Sequence, residues 1–335
     1  EISLDHRIIF DHQQKKLYCY LADKNQISEF DFETKRWDNY SLFKKQVLKQ
    51  IYQHHNGLFS PKDNAIYIIG GYGQFTYQNQ VKKIDLSSKS WKNIPHDNKV
   101  FKPRYLSGAT IYKDSIYILG GYGSESGKQL VNPKSYFDFL RYDIESKTFK
   151  KQYEVNKISE EMIFGSSIVI DSTNKNYYGL ISDKSRSNGY LKLAQGNLSS
   201  PEFKIVADSL PYKFTDTQSF VDLFFDENAK KLYVYTSFLN SDNVTDFGIY
   251  SLNYPHISVI EATQSNSKLT TSLWTLIIIG LFISAMIALL IIKYFKKKQI
   301  KTSEEKVISQ KRKKEEPLVT LEYPIVFFGG FQMFD

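Results

Sequence analysis

The 335-residue chain contains a single cysteine, Cys19, so no disulfide framework within it can substitute for a packed core. Its histidines are equally sparse. His6, His12, His54, His55, His96 and His256 show no HxH or HExxH spacing, and adjacent His54 and His55 would point to opposite faces of a strand. A GxSxG elbow and a P-loop are both absent. The carboxylate pairs Glu160-Glu161 and Glu304-Glu305 lie in polar stretches and read as solvated charge. With no nucleophile, metal set or phosphate cradle in view, neither catalysis nor a cofactor is expected.

Charge is missing altogether from Leu269 to Ile292, a run of 24 residues followed at once by Lys293, Lys296, Lys297 and Lys298. As a helix it would measure about 36 Å, enough to cross a ~30 Å hydrocarbon core. Trp274 and Tyr294 sit near its ends, where the headgroup layer favours amphipathic rings. The lysines place the C-terminal side in the cytoplasm and everything before Leu269 outside. The expected protein is therefore single-pass, in a bacterial inner membrane, with a periplasmic or extracellular ectodomain. Most of the net charge of +8 falls in the basic segment after the helix, where membrane lipids are the expected partner. The chain begins with Glu1 rather than Met and shows no signal peptide. Outside-first topology normally needs one, so further sequence is expected upstream.

Against these absences stands a repeat. KKLYCYLA (15–22), NAIYIIGGYG (64–73) and DSIYILGGYG (114–123) are versions of one segment, each followed by a second: EFDFETKRW, KIDLSSKSW and RYDIESKTF. In all three, Asp31, Asp85 and Asp143 precede Trp37, Trp91 and Phe149 by six residues. NKNYYGLI and AKKLYVYT continue the series, so that Leu17, Ile66, Ile116, Asn176 and Leu232 are spaced by 49, 50, 60 and 56. Within a copy, alternating β-branched and aromatic residues broken by Gly, Asn, Asp and Lys read as four short antiparallel strands. Tyr and Phe, 24 of each, suit packing between sheets. Repeats of this length stack radially as propeller blades.

The paired Gly70-Gly71 and Gly120-Gly121, the downstream Asp85 and Asp143, and the aromatics six residues later resemble Kelch repeats. Arg104 occupies a position where Kelch copies often carry arginine. The resemblance covers about residues 5–260 and implies an all-β Kelch-type propeller, five repeats visible and six or more blades expected. It is strong in two copies, fair in the first, where Leu21-Ala22 replace the glycines, and weak in the last two. It also raises the copper radical oxidases related to galactose oxidase, but Cys19 lies inside a tyrosine strand and no His pair is spaced for that site. The SxDxGxTW boxes of sialidase-like propellers are missing.

After the basic segment the composition changes to LVTLEYPIVFFGGFQMFD. IVFFGGFQMFD resembles the opening strands of the winged-helix DNA-binding domain of OmpR-type activators, as joined to Kelch-like outer domains in membrane-anchored Bacteroidetes regulators. That likeness implies that DNA is bound only through a domain beyond residue 335. The expected organisation is a propeller at 1–262, a linker at 263–268, the membrane helix at 269–292, a basic linker at 293–317 and a truncated β-hairpin at 318–335.

Two functions follow. In the first, the propeller senses an extracytoplasmic glycan, peptide or protein and controls a transcriptional output. In the second it is a surface binding module for protein or glycan without regulatory output. A homodimer is an expected assembly. Candidate ligand-binding residues are those preceding first strands, His6, Arg7, His55, Asn56, Arg104 and Tyr105, and those following strand ends, Tyr72 and Tyr122.

Overall fold

The structure is a computed structural model that describes residues 6–11, 14–21, 26–38, 41–42, 53–97, 99–207, 209–254 and 331–333. The repeats fold as five antiparallel blades. Blade one comprises His6–Asp11, Lys16–Leu21, Gln26–Asp31 and Arg36–Trp37. Blade two comprises Asn56–Ser60, Ala65–Ile69, Val81–Asp85 and Ser90–Ile94. Gly108–Tyr112, Ser115–Gly123, Lys134–Asp143 and Thr148–Glu154 form blade three, and Met162–Asp171, Asn176–Asp183, Asn188–Asn197 and Ser200–Ile205 form blade four. Blade five is Ser219–Asp226, Lys231–Leu239 and Thr245–Asn253, completed by Phe331–Met333. First strands neighbour one another, Ala109 bridging to Ser167 in parallel, and Arg7 of blade one lies 4.4 Å over the Phe220 ring of blade five.

Alternation along the tyrosine strands builds the interior. In Ala65–Ile69 every residue is buried, but successive side chains serve different neighbours. Ile66 and Ile68 pack with Tyr18, Tyr20 and Ile27 of blade one, whereas Tyr67 and Ile69 join Ala109, Ile118 and Leu140 of blade three. One strand thus feeds two seams, as a period of two requires. Each such side chain contributes about 1.5–3 kcal/mol. Leu119 and Phe139 meet Phe164 and Tyr177 between blades three and four, and Leu180 and Leu193 meet Val221 and Leu232 between blades four and five.

The tight turns share one device. Asp11, Asp31, Asp85, Asp143, Asp171 and Asp226 each accept a hydrogen bond from a backbone N–H two or three residues on. Four residues after each stands a lysine, Lys15, Lys35, Lys89, Lys147, Lys175 or Lys230, with φ between 48° and 57°. The carboxylate holds the turn that forces the lysine into the left-handed region. At the other strand end, Gly70-Gly71 and Gly120-Gly121 also have positive φ, and a Cβ on Gly120 would stand 2.0 Å from Cε2 of Phe164. No other residue fits there.

The structure corrects the membrane reading. Among the described residues no helix is long and apolar enough to cross a membrane, and 269–292, with its basic flank at 293–317, lies outside them. The terminal strand is the physical reason. Phe331–Met333 pairs antiparallel with Thr245–Asn253, in the register Tyr250↔Met333, Ser251↔Gln332 and Leu252↔Phe331. A strand hydrogen-bonded to the last blade shares the propeller's compartment. That pairing removes the division into outer sensor and inner output, the inner-membrane localisation that rested on it, and the winged-helix reading of the Gly-Gly-Phe segment.

Candidate functional site

Antiparallel pairing sends the Asp–Lys turns to one end of the blades and the longer connections to the other. The longer connections form a loop face, and among the described residues blades two and three contribute most to it. Tyr72–Gly73 and Thr76–Tyr77 make a two-stranded hairpin whose turn, Gln74-Phe75, has φ of 49° and 60°. The loop after Ser115–Gly123 is strapped to it: Tyr77 N–H donates to the Gly127 carbonyl at 2.7 Å, and Gln129 N–H to the Phe75 carbonyl at 3.0 Å. Phe75, Leu130 and Val131 stand out at this tip, Phe75 being 76% and Leu130 91% exposed.

Beside the tip four tyrosines pack together. Tyr105 is the buried centre, with its ring centroid 5.2 Å from Tyr72, 5.5 Å from Tyr77 and 6.2 Å from Tyr122. Tyr72 and Tyr122 remain half-exposed. His54 meets the other side of Tyr105 at 5.9 Å. Burial, with the Arg7 charge, pushes His54 down to about 3, so it is a neutral imidazole.

One carboxylate serves this cluster. Asp216, on the turn between Leu210–Lys213 and Ser219–Asp226, accepts the Tyr105 hydroxyl on Oδ2 at 2.5 Å. Lys184 Nζ lies 3.9 Å from the same oxygen and 4.6 Å from the centre of the Tyr122 ring. Oδ1 of Asp216 is buried and has no hydrogen-bond partner among the described residues. Burial raises the pKa of Tyr72, Tyr77, Tyr105 and Tyr122, and the Asp216 charge adds to it at all four.

The residues singled out in the sequence divide between this surface and the interior. Tyr72, Tyr105 and Tyr122 belong to the cluster. Arg104 lies beneath it, fully buried, donating from Nη1 and Nη2 to Asp138, from Nη1 also to the Gly120 carbonyl and from Nε to the Lys102 carbonyl. His55 is buried with Nε2 2.9 Å from the Tyr20 hydroxyl. Asn56 ties three blades, its Nδ2 donating to the carbonyls of Ser107 and Ser166 at 2.7 Å each. Arg7 lies at the junction of blades one and five. His6 pairs with Leu21 in blade one. Composition and strand position found the tyrosines. Asp216, Lys184 and Phe75 went unread because they come from three separate loops and no spacing in the sequence connects them.

A cavity lined by His54, Leu106, Ser107, Ser166 and Phe220 measures about 20 Å³, room for about one water. A cleft of about 310 Å³ lies at the turn end between blades two and three. Four of its charges pair with one another, Lys62 with Asp114 at 3.1 Å and Lys83 with Asp63 at 3.5 Å. Among the described residues no group of His, Cys, Asp and Glu is placed to hold a metal.

Fold and surface together define a β-propeller that presents an aromatic loop face. The profile of the KLHDC2/KLHL20/DRC7 Kelch-repeats domain matches residues 12–199, and the chain belongs to this family of Kelch-repeat proteins. Such propellers are typically non-catalytic binding scaffolds. Over 58 residues it is 26% identical to a putative F-box/kelch-repeat protein of Arabidopsis thaliana, a stretch covering 17% of this chain and 15% of that protein. The family match also supports binding over the sensor–regulator reading, since neither a spanning helix nor a DNA-binding domain accompanies the propeller among the described residues.

Proposed function

We propose that the chain is a protein-interaction module whose partner docks on the loop face of blades two and three. One observation carries this reading: a cluster of four tyrosines flanked by the solvent-facing Phe75, Leu130 and Val131. Tyrosine and phenylalanine supply rigid contact area of the kind that anchors protein interfaces. The hairpin tip adds to the case. A two-residue turn of this type favours Asn-Gly, and holding Gln74 and Phe75 at positive φ costs about 1 kcal/mol or more each. Phe75 returns nothing in packing, so the strain is explained by presentation. The shallow surface fits a macromolecule better than a small molecule, which needs a concave site of about 300 Å³ or more.

Site-specific photocrosslinking tests it. A benzophenone amino acid replaces Phe75 on the loop face or Glu145 on the turn face of the full chain in its native cells. Discrete protein adducts are expected from position 75 alone. Adducts from 145 but not 75, or from neither, would overturn the proposal.

A further inference from the structure

The loop-face cluster has one polar centre, and its surroundings are specific about what it would accept. Asp216 lies among four tyrosine rings, of which Tyr72 and Tyr122 still present area to solvent. One carboxylate oxygen is committed to Tyr105, and the other is buried without a hydrogen-bond partner among the described residues. A buried acceptor left unsatisfied is costly, more so when charged. A donor brought by a ligand would relieve that cost.

Lys184 shows what kind of donor suits the place. Its ammonium lies over the face of Tyr122 at 4.6 Å and is held 3.9 Å from Asp216, so the cradle already contains a cation of the chain's own. The contact with Asp216 is long, and Lys184 reaches Oδ2 rather than the unsatisfied Oδ1. Aromatic faces attract cations through their quadrupole. A guanidinium improves on an ammonium here, because it can stack on a tyrosine and offer parallel N–H donors to both oxygens of one carboxylate. Phe75, Leu130 and Val131 stand out at the tip of the hairpin that carries Tyr72 and Tyr77, and would receive apolar neighbours of the cation.

Resting on the interaction-module reading, we infer that the loop face recognises an arginine side chain in an extended, partly apolar segment of its protein partner, with Asp216 and the tyrosine cluster as the arginine site. Lys184 acts as an internal placeholder that the incoming arginine displaces. The charge relationship fixes the sign of the ligand. An acidic segment would meet Asp216 with like charge and leave Oδ1 unsatisfied.

The experiment measures binding of the full chain to degenerate decapeptide libraries. The central position is fixed as arginine, lysine, citrulline or glutamate, and the flanks are randomised among apolar and small residues. Citrulline keeps the shape and loses the charge. Arginine peptides are expected to bind about tenfold more tightly than citrulline peptides, with lysine between them and glutamate weakest. The preference should shrink as salt rises. Asp216→Asn should bring arginine and citrulline to within about twofold while the thermal transition stays in place. Lys184→Ala should tighten arginine binding by removing the competitor, a gain that misfolding would not produce. Equal binding of arginine and citrulline peptides, absence of binding in every arm, or weakening by Lys184→Ala would each overturn the inference. Equal binding that still disappears in Tyr122→Ala would leave the interaction module standing. The photocrosslinking result decides that reading separately.

Discussion

Arg104 and Asp138 form a two-point ion pair inside blade three, Nη1 to Oδ1 at 2.5 Å and Nη2 to Oδ2 at 3.0 Å. The guanidinium also lies 4.1 Å over the Tyr136 ring, sealed beneath the tyrosines of the loop face. An arginine placed before the first strand of a blade therefore works here as a tie under the surface.

Removing one member strands the other without water. Arg104→Ala is expected to cost about 3–5 kcal/mol, measured by urea unfolding of the full chain. The paired change Arg104→Met with Asp138→Leu should cost less than either single change, since no charge is left buried. A loss below about 1 kcal/mol for Arg104→Ala would mean that the pair is solvated.

The Asp–Lys turns predict two opposite effects. Lys147→Gly removes the penalty of a left-handed lysine and should stabilise by about 0.5–1 kcal/mol. Asp143→Ala removes acceptors for the Ser146 N–H and hydroxyl, both within 2.9 Å, and should destabilise. Hydrogen bonds from Ser88 to Asp85 and from Ser146 to Asp143 hold both carboxyls below the usual value of 3.8. The unfolded chain therefore takes up protons first on acidification. Their contribution is complete above about pH 4 and lost as pH falls through the lowered folded value. Unfolding curves between pH 5 and 2 should steepen less in Asp143→Ala.

Asp222 has the opposite sign. It stands on the first strand of blade five, facing Ser167 on that of blade four and Arg7 on that of blade one. Only half-buried by accessible area, it is nevertheless enclosed by protein, and burial pushes its carboxyl up to about 6, against donors from Ser167 and Leu223 and the Arg7 charge. A raised folded value means that the native state holds the proton longer. Stability should fall as pH rises from about 4 to 6 and level off above. Asp222→Asn should remove that slope and add about 1–3 kcal/mol at pH 7. A variant no more stable than the parent at pH 7 would show that the charged carboxylate is adequately solvated.

The aromatics closing the second repeat motif are unequal. Phe149 is buried and stacked on Phe101 at 4.7 Å, whereas Trp91 is half-buried with Lys82 over its ring at 4.8 Å. Phe149→Ala should cost about 3–5 kcal/mol, and Trp91→Ala visibly less, in parallel denaturant titrations. Equal losses would mean that both rings fill comparable holes.

Much of this architecture is legible in the residues because the repeat is local chemistry. Asp85 predicts its turn, Gly70-Gly71 its left-handed exit, and the unbroken apolar run Ile66 to Ile69 its two-sided burial. The loop face is less legible. Tyr72 and Tyr122 follow recognisable strand ends, but Asp216 and Lys184 reach them from distant loops, and only the ring of blades brings these together. Phe331–Met333 was misread for a related reason. An apolar strand after a Gly-Gly pair carries no mark of its partner, so backbone pairing with Thr245–Asn253 could not be foreseen.

That last pairing orders events in time. The chain leaves blade five at Asn253 and returns beside it at Phe331, with Leu252 opposite Phe331. On the ribosome, blades one to four can assemble as they emerge, but the edge of Thr245–Asn253 stays unpaired until residue 331 has been made. An open edge invites pairing with another chain. Because departure and return are neighbours, one strand spacing of about 4.8 Å apart, a hairpin-length linker can bridge them. Replacing 257–328 with about five Gly and Ser residues should close blade five early. The prediction is an unchanged β-sheet spectrum and less aggregation during refolding than in the parent chain; loss of the cooperative transition would show that the excursion itself supports the sheet.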